Sequence, residues 1–139
     1  MSKNTDPIFT KAPIVGQAQI SAANTNRDGT GTIVTIQDGS TDGVRIDQIE
    51  VKAEATTTAG MVRLFISFDS GTTWNLWREI VVTAITPSAT VKAFKAVIDL
   101  TTTLNDPPLS LPSTAEVLGA STEKAEVFNV FARGGSFAA

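Results

Sequence analysis

The densest grouping of chemistry-bearing side chains in this 139-residue sequence is SFDSGTTW at residues 67–74, which satisfies S-x-D-x-G-x-T-W at Ser67, Asp69, Gly71, Thr73 and Trp74. A carboxylate between hydroxyls and beside an indole could cleave glycosides, a reaction run by paired carboxylates, or stack a sugar ring on the tryptophan. It could also do no chemistry. Asp69 can accept backbone N–H bonds across a turn, Gly71 can take a positive φ, and the hydroxyls of Ser67 and Thr73 can close a hairpin. That structural account uses every fixed residue and leaves Trp74 to cap the core beside the turn. It is the preferred reading.

The pattern resembles the Asp box of sialidase propellers, which implies a nucleophilic tyrosine and a cluster of arginines. The chain has no tyrosine, its five arginines (27, 45, 63, 78 and 133) are scattered, and its length suits one domain and not a set of blades. Cysteine and histidine are absent as well, which removes disulfides, thiolate metal sites and the commonest general base. Asn24-Thr25-Asn26-Arg27-Asp28-Gly29 mimics half of an EF-hand loop, but the twelfth position is Thr35, so a turn is expected and no metal. Ser121-Thr122-Glu123-Lys124 fits S-x-x-K without its companion motifs and reads as a polar turn. Gly134-Gly135 carries no phosphate-loop pattern and is expected to loosen the chain before its tail. No catalytic, cofactor or metal site is expected, and the chain is expected not to be an enzyme.

The elements that must position these residues read as β throughout. Strands are predicted near residues 14–21, 31–37, 43–54, 60–68, 74–83, 91–100, 115–121 and 125–133, with β-branched density and turn signals such as Asp38-Gly39 and Asp42-Gly43 between them. WNLWREIVVTAI also fits a helical period, but its Ile, Val and Thr content favours a strand. The fold class is therefore all-β: an antiparallel sandwich of about eight strands, jelly-roll-like. Residues 1–13 form an extended arm, residues 14–135 the sandwich and residues 136–139 a tail.

A net charge of -3 without basic runs argues against nucleic acid and membrane surfaces as partners. MSKNTDPIFTKAP lacks the apolar region of a secretory leader. One face of the strand at 60–68 mixes Met61, Arg63, Phe65 and Ser67, and one face of the next mixes Asn75, Trp77, Glu79 and Val81. Mixed faces of this kind suit an interface. Phe65 and Trp77 are its candidates, with Pro7, Ile8 and Phe9 of the arm; burial in the core is the competing reading.

PIFTKAPIVGQAQISAANTNRDGTGTIVTI, TTTAGMVRLFI with LWREIVVTAITPSATVKAF, and LPSTAEVLGASTEKAEVFNVFARGG together span nearly the whole chain. Across these stretches the sequence resembles small virion structural proteins of tailed bacteriophages. The resemblance implies a β-domain on the virion, made in the bacterial host cytoplasm. The favoured role is a homotrimeric capsid decoration (cement) protein bound to the major capsid protein. A tail, baseplate or head-fibre component touching the host surface is the alternative, and a carbohydrate-binding module ranks below it.

Overall fold

Alternation with period two decides where the strands run and which way they face. The computed structural model describes residues 10–101 and 107–137. Among these residues nine strands follow one another: β1 (Ala12–Ile20), β2 (Val34–Asp38), β3 (Val44–Ala53), β4 (Gly60–Ser67), β5 (Asn75–Val82), β6 (Lys95–Asp99), β7 (Leu109–Leu111), β8 (Val117–Thr122) and β9 (Phe128–Ser136). They build two antiparallel sheets. One has the order β1-β9-β3-β6, with β7 also bonded to β3, and the other has β2-β8-β4-β5. With β7 set aside, this interleaving of early and late strands is the jelly-roll order of two Greek keys.

Between the sheets lie Ile20, Ile46, Val51 and Val130 from the first and Val62, Leu64, Ile80 and Leu118 from the second, all buried. Phe94 and Phe128 meet edge to face at 6.2 Å. The segment containing Trp77 is a strand, as its β-branched residues require.

Several boundaries differ from the sequence reading for local reasons. β2 begins only at Val34, because Gly31 holds φ 83° inside the preceding loop. β6 is shorter than residues 91–100, since the Ser88 hydroxyl accepts the N–H groups of Thr90 and Val91 and holds a turn. β7, three residues between two prolines, is too brief to leave a period. At the start of the domain the N–H of Lys11 donates to Ser136 O and β1 opens at Ala12, so Ala12 and Pro13 belong to the sheet and not to an arm. At its other end β9 runs to Ser136 and the N–H of Phe137 donates to Gly43 O.

Gly134-Gly135 does not loosen the chain. Both residues pair inside β9, with Ile14 and Pro13 on one side and Ile46 and Arg45 on the other. A Cβ on Gly134 would lie 1.7 Å from Arg45 O, so glycine is present because two backbones approach closely there.

Candidate functional site

The residues 67–74 form the hairpin turn from β4 to β5, and their hydrogen bonds follow the expected closure. Ser67 Oγ donates to Asp69 Oδ1 at 2.8 Å and accepts the N–H of Gly71 at 2.8 Å. Asp69 Oδ1 also accepts the N–H of Thr73 at 2.7 Å. Ser70 and Gly71 take φ 60° and 89°, and the N–H of Ser70 donates to Ala115 O, tying the turn to the segment before β8. The Thr73 N–H, followed by the Ser67 hydroxyl, holds the Asp69 carboxyl below the usual carboxylate range.

A lowered folded pKa makes this a contribution present above the unfolded pKa and lost as pH falls through the folded one. Asp69→Ala is therefore expected to lower the melting temperature at neutral pH, with the gap to wild type narrowing under acid. Equal melting curves at pH 7 would remove the structural role.

Trp74 does not cap the core between the sheets. It lies on the outer face of the second sheet, where a Cβ on Gly119 would sit 2.7 Å from its Cη2 and Cζ3 and 2.9 Å from Ile33 Cγ2. Gly119 is thus the recess that receives the indole. Phe65 pairs opposite Gly119 and is completely buried under the same cover, so it offers nothing to a partner. The competing reading, burial, holds for Phe65.

Trp77 does not share a face with Glu79 and Val81. The register shift at Leu64/Phe65 pairs Leu64 with Arg78 and Phe65 with Leu76, leaving Trp77 as the extra residue of a bulge. Its ring packs half-buried against the core, with the Arg78 guanidinium 4.8 Å from its centroid. Phe68, next to the turn, is 64% exposed. Pro7, Ile8 and Phe9 lie outside the described residues.

The sequence reading missed Arg63, which is 1% exposed although it lies on the outer face of β4. Its Nε is 3.2 Å from Glu79 Oε2, its Nη2 3.7 Å from Glu123 Oε2, and its Nη1 donates to Asn24 O at 3.3 Å. The cover is the loop of residues 21–33, pinned by the buried Asn24. The Asn24 side chain donates to Thr30 O and Thr32 O and accepts the N–H of Asn26, while its own N–H donates to Thr122 O. Asp28 Oδ1 accepts the N–H and hydroxyl of Thr30. Asn24 Oδ1, Asp28 Oδ1 and the carbonyls of Thr30 and Thr32 are thus used in folding the loop.

Ser121 and Thr122 end β8, and the Thr122 hydroxyl donates to Lys124 O, so the S-x-x-K stretch is a strand end running into a turn. Every carboxyl with a resolved shift (Asp28, Glu50, Asp69, Glu79 and Asp99) is moved down by hydrogen-bond donors, whereas a general acid needs its pKa raised. The described residues enclose no cleft of ligand size.

The outer face of the first sheet is open to a neighbour. There Glu50 takes Arg133 at 2.9 Å and Lys95 at 3.7 Å, between the exposed Val15 and Val97. Comparison with protein-family models found no match, and comparison with curated protein sequences found none either.

Proposed function

We propose that this protein is a structural component of a tailed-bacteriophage virion, acting as a homotrimeric decoration protein on the major capsid protein lattice. The observation that carries the reading is the jelly-roll strand order in a chain whose sequence resembles such virion proteins from end to end. The jelly roll is an architecture that viral capsid domains share with lectins and cupins. Both tryptophan rings are engaged inside the domain, one over Gly119 and one under Arg78, which favours protein contact over sugar stacking.

Binding would draw on apolar area and on main-chain pairing at sheet margins, multiplied by many copies. Among the described residues β1 is bonded to β9 alone, so the described chain begins at a sheet margin, which suits a contact made by the segment before it. Deleting residues 1–9 is expected to leave the melting temperature unchanged and to abolish binding to capsids; retained binding would remove the arm from the contact.

Cryo-electron microscopy of the source particle tests the whole reading. Density for this sandwich at threefold or quasi-threefold positions of the head is the expected result. Density on the tail or a fibre would move the protein to the alternative role, and its absence from the particle would overturn the proposal.

A further inference from the structure

Among the described residues β6 is bonded to β3 alone, and that pairing orders its other margin. Ala53 N–H donates to Phe94 O and Leu100 N–H donates to Asp47 O, in a register that sets Ile49 opposite Ile98 and Val51 opposite Ala96. Residues 94, 96, 98 and 100 therefore turn their main-chain groups toward β3. Alternation in an antiparallel ladder turns those of Lys95, Val97 and Asp99 outward, away from the sheet. The side chains of the same three residues are exposed, while Ala96 and Ile98 face the core and are half-buried.

The sequence of this margin, Lys-Ala-Val-Ile-Asp, has opposite charges at its two ends and apolar residues between them. We propose that β6 pairs antiparallel with β6 of a second copy about a two-fold axis at Val97, joining the two β1-β9-β3-β6 sheets into one. Lys95 then faces Asp99 of the second copy at both ends of the contact, and Val97 faces its own equivalent. Ala96 faces Ile98 on the core side. Each outward-turned pair exchanges two main-chain hydrogen bonds, and the contact is isologous, as a two-fold requires.

Moving the axis to Ala96 or Ile98 would set Lys95 or Asp99 opposite Val97, so the charges choose the register. Lys95 Nζ stands 3.7 Å from Glu50 Oε1, longer than a charge-assisted hydrogen bond, and can turn to a nearer carboxylate. Asp99 is held in place because its Oδ1 accepts the N–H and hydroxyl of Thr101.

The other margins are less suited. Gln37 lies against β1 at Gly16, where a Cβ would be 2.6 Å from Gln37 Oε1, and both β2 and β5 carry bulges that interrupt their ladders. A lysine on an edge strand commonly keeps neighbours away. Here Asp99 stands at the mirrored position and turns that repulsion into a pair. The contact goes beyond the virion reading and does not rest on it, and it leaves the β1 margin of the same sheet uncovered.

The test uses the full chain, which has no natural cysteine. Val97→Cys treated with a short bis-maleimide is expected to give a covalent dimer on a denaturing gel. Val15→Cys, on the opposite margin of the same face and 62% exposed, is expected to stay a single chain. Lys95→Glu sets a carboxylate opposite Asp99 twice and is expected to weaken self-association about tenfold in sedimentation velocity, with far-ultraviolet circular dichroism showing the fold retained. Cross-linking of Val97→Cys no greater than that of Val15→Cys, or association unmoved by Lys95→Glu, would overturn the contact. Either of those results would leave the capsid reading standing, which only the particle map decides.

Discussion

Gly134→Ala is expected to lower stability by about 4 kcal/mol, roughly 15 °C in melting temperature for a chain of this size, and Gly134→Val to yield no soluble protein. The added Cβ would lie 1.7 Å from Arg45 O, 2.7 Å from Arg45 C and 2.9 Å from Ile46 Cα, all atoms of main chain. A flexible side chain could swing aside; these atoms cannot. Gly134 faces Ile46 just where the register skips Asp47 and resumes at Gln48 with Arg133, so it lies at the mouth of a bulge in β3. β9 is bonded to β1 on one side and β3 on the other, and a shift to relieve the contact would disturb both ladders. Gly60→Ala is the control, since a Cβ there finds only the Lys124 stem at 3.7 Å. Thermal unfolding followed by circular dichroism checks both. A Gly134→Ala variant melting within a degree or two of wild type would mean the close approach contributes nothing.

The contrast between what the sequence revealed and what it concealed follows from the range of the interactions. The hairpin at 67–74 was readable because its bonds join residues two to four apart, and the pattern of residue types is the pattern of donors and acceptors. Most strands were readable because one face of each is buried and the alternation shows it. The bulge in β3 left a signal too: apolar positions run Val44, Ile46, then Ile49, Val51, Ala53, and the lost beat marks the extra residue. Arg63, Phe65 and Ser67 were not readable, because their burial comes from residues 21–33 and Trp74, distant in the chain and without any period of their own. An outward-facing strand position usually meets water, so Arg and Phe side by side looked like an interface. Gly119, too small to clash with Trp74, was the available hint that something lies across that face.

That covered face makes Arg63→Ala the second large effect, with an expected loss of about 2–4 kcal/mol from lost packing and hydrogen bonds. The guanidinium is buried between the Glu79 and Glu123 carboxylates and holds Asn24 O, so its removal leaves a cavity and frees the loop at its anchor. Glu79 is not orphaned by the change, because Arg27 stays on its Oε2 at 2.8 Å. The damage should therefore centre on residues 21–33 and not on β5. Hydrogen exchange is expected to quicken in that loop ahead of global unfolding, and uniform quickening would contradict the anchoring role. Arg63→Met separates volume from charge, since an apolar replacement of similar length refills the space without the ion pairs. Arg27, then Arg63, holds the Glu79 carboxyl below its ordinary range, so the charge contribution is present above the unfolded pKa and lost as pH falls through the folded one. Arg63→Met should accordingly be less stable than wild type at pH 7 and approach it as the pH drops below the carboxylate range. Equal stability at pH 7 would assign Arg63 a packing role alone, and the buried pairs would then offset no more than their own desolvation.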